Sequence, residues 1–98
     1  MILVTGTITL PEGGLPRALP AMAAMVAASR AETGCIAYAY AQDLFDPTLI
    51  HIVERWQDRA ALAAHLAMPH LAAWRALFAD LGISNRRLFL MEGEPEPT

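Results

Sequence analysis

Two segments in the first half of the chain alternate in the manner of β-strands. In residues 2–10, apolar side chains alternate with Thr5, Thr7 and Thr9, which predicts a strand with one buried face. Cys35 to Asp43 alternates large side chains with small ones. The large set is Ile36, Tyr38 and Tyr40, and the small set is Cys35, Ala37, Ala39 and Ala41. The small side chains favour close packing on that face.

Leu49 to Trp56 is the third alternating segment. The Asp46-Pro47 turn before it predicts a hairpin with the preceding strand. One face of the strand carries Ile50, Ile52, Glu54 and Trp56, and the other carries Leu49, His51, Val53 and Arg55. A last strand is predicted over residues 84–91, and we expect residues 94–98 to form a loose tail.

Segments whose apolar residues have helical spacing lie between these strands. From about Arg17, the residues Leu19, Met22 and Val26 share one face, and Gly34 is expected to end this helix. Such a start places Pro20 in the first turn, where a proline is tolerated.

A second helical region follows the third strand. Asp58 is a plausible N-cap for a helix carrying Leu62 and Leu66, and a break is expected near Met68-Pro69. The apolar residues then repeat at helical spacing up to Gly82, as Leu71, Trp74, Phe78 and Leu81.

The predicted order is β-α-β-β-α-β, an α+β, ferredoxin-like arrangement with a four-stranded antiparallel sheet. We expect residues 1–93 to form one domain. Both helices would cross one face of the sheet and leave the other uncovered. Because apolar residues occupy both faces of several strands, the sequence favours a homodimer that joins through its sheet faces.

Composition excludes several classes of protein. The formal net charge is −3, and the seven basic residues are scattered arginines, so nucleic acid binding is not expected. No apolar run approaches the length of a membrane span, and the N-terminus lacks the pattern of a signal peptide. Cys35 is the single cysteine, which excludes an internal disulfide. We therefore expect a soluble, cytoplasmic protein.

Three stretches of the sequence have a recognisable pattern: Ser29 to Tyr38, Val53-Glu54-Arg55-Trp56, and Ala64-His65-Leu66 with Pro69-His70. They resemble the antibiotic biosynthesis monooxygenase family of small dimeric α+β barrel proteins. Together with the element order, the resemblance extends from Ile2 to Met91. Members of this family include cofactor-free quinol and anthrone oxygenases as well as isomerases and haem-degrading proteins, so the fold alone does not fix the activity.

The resemblance implies a pocket between helices and sheet in each subunit. Its catalytic candidates are His65, Glu54 and Tyr38, and its substrate-binding candidates are Trp56, His70, Trp74 and Phe78. By analogy with the oxygenases, a quinol, polyphenol or anthrone would be deprotonated and would reduce O2 directly, with O2 as co-substrate and no other cofactor. No metal site is expected, because His65 and His70 lie five positions apart across a proline without a recognised carboxylate spacing.

Each candidate residue also has a structural interpretation. His65 changes protonation near neutral pH and suits proton abstraction, but a histidine on a helix flank is commonly solvated. Glu54 could orient His65 or form a salt bridge with Arg55 or Arg59. The tryptophans and Phe78 could stack on an aromatic ligand or simply fill the core.

Two other functions remain open from the sequence. A non-catalytic dimeric barrel could bind a small aromatic ligand, and a closely packed interior without a cavity would favour it. An isomerase could use the same His and Glu without oxygen. Thr5 and Thr7 stand on the first strand where haem-degrading relatives carry an Asn, which argues against haem degradation.

Overall fold

The computed structural model describes residues 1–98, which form four strands and four helices. In chain order these are β1 (Ile2–Thr9), α1 (Leu15–Arg30), β2 (Cys35–Gln42), β3 (Leu49–Trp56), α2 (Arg59–Leu66), α3 (Pro69–Ala76), α4 (Phe78–Leu81) and β4 (Ser84–Glu92). The strands form one antiparallel sheet in the order β2-β3-β1-β4. This confirms the predicted ferredoxin-like α+β fold.

The central strands β1 and β3 bury one face each. Their register pairs Ile2 with Trp56, Val4 with Glu54 and Ile8 with Ile50. All six side chains are buried, whereas His51, Val53 and Arg55 on the opposite face of β3 are exposed. The alternation predicted for β3 is therefore confirmed residue by residue.

Strand β2 departs from the predicted alternation at its start. Cys35 pairs with Trp56 but Ala37 pairs with Arg55, so the register shifts at Ile36. This irregularity turns Cys35 toward the core and leaves Ile36 49% exposed. The predicted grouping of Ile36 with Tyr38 was wrong for that reason, although Tyr38 itself is buried.

Helix α1 starts earlier and ends earlier than predicted. It begins at Leu15, with Pro16 in its first turn, so Pro20 lies inside the helix. Leu19 is 50% exposed, and the inward stripe consists of Ala18, Met22, Met25, Val26 and Ser29. The helix ends at Arg30 instead of Gly34. Gly34 lies in the following turn with a φ of 84°, a conformation that favours glycine.

The second helical region is interrupted as predicted. Asp58 caps α2 by accepting a hydrogen bond from the Ala61 N–H at 2.8 Å. Met68 is extended, with ψ of 139°, and Pro69 starts α3. Leu62 is buried, whereas Leu66 is 54% exposed. Gly82 ends α4 in the left-handed conformation, as expected.

Strand β4 extends one residue beyond its predicted end and contains an irregularity near its start. Thr7 pairs with Arg87 and Thr9 with Ser84, which leaves Asn85 and Arg86 within a register shift. Asn85 has a φ of 51°, in the region where asparagine is the most tolerant residue after glycine. The division into a domain over 1–93 and a tail over 94–98 stays a prediction.

The face of the sheet that the helices leave uncovered carries apolar side chains. We call it the open face and define it by Leu3, Val53, Phe89 and Met91, which the strand register places on one side. Val53 is 41%, Phe89 61% and Met91 50% exposed. None of the four helices combines the length and apolar character needed to cross a membrane.

Candidate active site

A cavity of about 160 Å³ lies between the sheet and the second helical region. Its wall is largely apolar, with Val4, Ile8, Ile52, Leu62, Leu71, Leu88 and Leu90 among the lining residues. The polar residues of the lining are Tyr38, Tyr40, Glu54, His65, Trp74, Arg75 and Arg86. An apolar cavity with a few convergent polar groups is the usual form of a small-molecule site.

His65 is the most deeply buried titratable group of this wall, with 1% of its surface exposed. It occupies the last turn of α2, the helix that Asp58 fixes at its N-terminus. Its Nδ1 lies 2.7 Å from Oε2 of Glu32. Because a carboxylate only accepts hydrogen bonds, Nδ1 carries the proton and donates it. In the neutral imidazole, Nε2 is then the atom with a free lone pair.

The same carboxylate oxygen holds a second histidine. Nε2 of His70 lies 2.8 Å from Oε2 of Glu32 and donates to it. Glu32 stands in the turn between α1 and β2, with a side chain 6% exposed, and its Oε1 has no hydrogen-bond partner. One buried glutamate therefore orients two imidazoles that come from consecutive helices.

Nε2 of His65 faces two other candidate residues. The hydroxyl of Tyr38 lies 3.5 Å away, and Oε1 of Glu54 lies 3.8 Å away. Burial, followed by the proximity of Tyr40 and Glu54, raises the pKa of Tyr38 far above its ordinary value. Tyr38 thus remains a hydroxyl, able to donate a hydrogen bond to an oxygen or to His65.

Glu54 is held by the indole of Trp56, not by an arginine. Trp56 Nε1–H donates to Oε1 of Glu54 at 3.0 Å, and Arg59 pairs with Glu92 instead. Burial raises the pKa of Glu54, while the Trp56 hydrogen bond and the His65 ring act in the opposite direction. The alternative of a salt bridge with Arg55 or Arg59 is therefore not realised.

Five of the seven predicted site residues line the cavity: Tyr38, Glu54, His65, Trp74 and Phe78. The other two do not. Trp56 is fully buried behind His65, with ring centroids 4.6 Å apart, so it supports the histidine and Glu54 and does not reach a ligand in this cavity. His70 lines a separate recess beside α1 and acts on the cavity only through Glu32.

Sequence reasoning assigned no role to Glu32. The residue belongs to no periodic element and lies 33 positions from His65, so spacing alone could not connect the two. The available signal was an acidic side chain in the short Glu32-Thr33-Gly34 turn, within a stretch that resembles the family.

Glu32, His65 and His70 could each offer one ligand atom to a metal ion, and these atoms lie within 4.8 Å of one another. The same atoms already join through two short hydrogen bonds. We therefore assign the cluster to the orientation of His65. The expectation of a metal-free, cofactor-free site stays a prediction.

Residues 1–77 match the protein family described as antibiotic biosynthesis monooxygenase. The chain belongs to this family. The matched range includes Glu32, Tyr38, Glu54, His65 and His70. A comparison with curated proteins gives no match.

Solved structures similar to this chain support the assignment. An antibiotic biosynthesis monooxygenase is 28% identical, with a TM-score of 0.85, over 97% of this chain and 100% of the other. A Pseudomonas aeruginosa protein is 30% identical, with a TM-score of 0.84, over 96% and 94% of the two chains. A Deinococcus radiodurans protein shares the fold at 22% identity, with a TM-score of 0.92, over 100% and 97%.

Proposed function

We propose that this family member is a cofactor-independent monooxygenase that oxidises a small quinol, polyphenol or anthrone-like aromatic compound with O2. The observation that carries the proposal is the hydrogen bond between Glu32 and Nδ1 of His65. It leaves Nε2 as the ring nitrogen that is not bound to Glu32, beside an aromatic, largely apolar cavity. This is the arrangement that a general base for an acidic phenol or methylene group requires.

In the proposed reaction, Nε2 of His65 removes the substrate proton. The imidazolium that forms stays paired with the Glu32 carboxylate, as the acid of a catalytic triad supports its histidine. The developing substrate anion is stabilised by the Tyr38 hydroxyl, which lies beside Nε2 of His65 at the cavity wall. An apolar wall limits the access of water to this anion.

The electron balance needs no external reductant. For an anthrone-like methylene group, four electrons pass from the substrate carbon to O2. One oxygen atom becomes the new ketone and the other leaves as water, which takes up the two hydrogens of the methylene group. His65 has to carry only a proton, so a base and an anion site are all that the chain must provide.

The experiment that tests this function is oxygen uptake by metal-stripped protein with a panel of quinols and anthrones. We expect His65→Ala to lower the rate by about 10²- to 10⁴-fold, the usual contribution of a general base. His51→Gln replaces an exposed histidine that pairs with Asp43 and serves as the control. Both variants are checked for their oligomeric state. Equal rates for wild type and His65→Ala would remove His65 from the mechanism.

The same base could serve an isomerase, and anaerobic turnover of a small carbonyl compound would favour that second function. The closely packed interior that would have favoured a non-catalytic barrel is not observed, because the cavity is open to a ligand.

The proposed assembly is a homodimer through the open face. Its support is the exposure of Val53, Phe89 and Met91 side by side on one surface of the sheet. Apolar side chains in such a group are commonly covered by a partner. Two identical sheets facing each other would bury them in both subunits.

A further inference from the structure

Two arginines border the cavity without an acidic partner. Arg75 comes from α3 and Arg86 from β4, and both line the cavity wall. Arg17 and Arg59, by contrast, pair with Asp80 and Glu92. The cavity thus has two guanidinium groups whose N–H donors are available to a ligand.

The two guanidinium groups carry like charges on the wall of the same cavity. Partial burial, followed by the positive charge of Arg75, lowers the pKa of Arg86. The Glu54 carboxylate acts in the opposite direction on Arg86 but forms no ion pair with either arginine. An anionic group placed between the two arginines would relieve their repulsion.

The cavity contains a third donor, the indole N–H of Trp74. Trp74 is 2% exposed and lines the cavity, and its Nε1–H makes no well-formed hydrogen bond, although the neighbouring Tyr40 hydroxyl interacts with it weakly. A buried donor left without an acceptor costs free energy, and such groups commonly find a partner in a ligand or a water molecule. Arg75 is the next residue of the same helix and lines the same cavity.

The backbone of β4 contributes to the position of Arg86. Arg87 pairs with Thr7 on the open face, so its neighbour Arg86 lies on the cavity side. The register shift and the positive φ of Asn85 come directly before it. The strand departs from regular geometry at the residue that precedes this cation.

We propose that the cavity binds an aromatic carboxylic acid, with its ring against Trp74 and Phe78 and its carboxylate between Arg75 and Arg86. The proposal rests on the proposed function for the identity of the cavity as the substrate site. It adds a property of the substrate: an anionic group separate from the position that is deprotonated and oxidised.

The test is calorimetric titration with 1-naphthoate and with its neutral methyl ester, neither of which offers a quinol to oxidise. We expect the acid to bind at least about tenfold more tightly than the ester, because hydrogen bonds to charged groups are the stronger ones. Arg75→Gln and Arg86→Gln should each remove most of this preference and leave the ester affinity unchanged. Added salt should weaken the acid alone.

Arg87→Gln is the matched control, because it removes an arginine adjacent in sequence but on the opposite face. It should retain the full preference for the acid. Equal affinity for acid and ester, no binding of the acid, or an equal loss in Arg86→Gln and Arg87→Gln would overturn the proposal.

The titration is independent of turnover. If naphthoate binds through the two arginines but no quinol or anthrone consumes oxygen, the oxygenase function fails and the acid site stands. If oxygen uptake occurs while acid and ester bind equally, only the acid site fails.

Discussion

Polar residues on the two faces of the sheet differ in burial and in hydrogen bonding. On the covered face, Glu54 and His65 are almost fully buried, and each has specific partners at short distances. On the open face, His51 and Arg55 are exposed among apolar neighbours such as Val53. Strand β3 supplies Glu54 to the covered face and His51, Val53 and Arg55 to the open face, whereas His65 comes from α2.

This difference suits the two faces of the sheet to different functions. A buried polar group has to be fully partnered, so its orientation and protonation can be held in one state. An exposed apolar group needs only to be covered, and a second copy of the same surface is sufficient. The covered face is therefore suited to a reaction and the open face to an interface, and substitutions on the two faces should have different consequences.

The largest effect is expected on the open face. Val53→Asp would place a carboxylate in the proposed dimer interface, where an unpaired charge costs several kcal/mol. We expect the dimer dissociation constant to rise by more than about 100-fold. Analytical ultracentrifugation would measure this change. Leu19→Asp, a similar change at an exposed position of α1, should leave the dimer intact, and a dimer that survives Val53→Asp would place the interface elsewhere.

Glu32→Ala should cause the largest loss of stability on the covered face. It removes the acceptor of His65 and His70, and two donors left unpaired correspond to about 2–4 kcal/mol of unfolding free energy. Urea denaturation would measure it. The contrasting variant is His51→Gln, which alters an exposed ion pair and should stay close to wild type. Similar losses in both variants would contradict the distinction between the faces.

A smaller effect is expected from Asp58→Ala, which removes the N-cap of the helix that carries His65. The expected loss is about 1 kcal/mol of unfolding free energy. Asp58→Asn keeps a side-chain acceptor and should retain most of the stability. If both variants were equally unstable, the charge of Asp58 and not its hydrogen bond would be responsible.

The smallest change in stability is expected from Glu54→Gln, and the direction of that change is informative. Burial raises the pKa of Glu54 in the folded state, so above that pKa the ionised carboxylate destabilises the folded protein. This destabilisation disappears as the pH falls below the pKa that Glu54 has in the unfolded chain. Gln can still accept from Trp56. We expect Glu54→Gln to have a slightly higher melting temperature than wild type at neutral pH, with the difference shrinking toward pH 4. A lower melting temperature at neutral pH would show that the carboxylate is stabilising.

The sequence was sufficient for the elements that have a strong local signal. Strand β3, the Asp58 cap, the break at Pro69 and the stop at Gly82 each follow from alternation, capping or backbone restriction within a few residues. The face assignments failed where the backbone is irregular. A register shift at Ile36 changed which side chains of β2 point inward, and α1 begins at Leu15, earlier than predicted.

The candidate site could be predicted only in part. Tyr38, Glu54 and His65 were placed correctly around one cavity because their strands and helix were correct. Glu32 was not, because its contacts depend on how the turn after α1 packs against α2 and α3. Trp56 faced the predicted side, but His65 lies between it and the cavity, which is a matter of packing depth and not of periodicity.

The break between α2 and α3 has a geometric consequence for the two histidines. In one continuous helix, residues five positions apart project about 140° from each other around the axis and could not bind the same oxygen atom. The extended Met68 and the following Pro69 reset the direction of the chain, so His65 and His70 converge on Glu32. The interruption thus sets the relative orientation of the two histidine side chains. Its conformation, more than the identity of either histidine, determines that they can share one carboxylate.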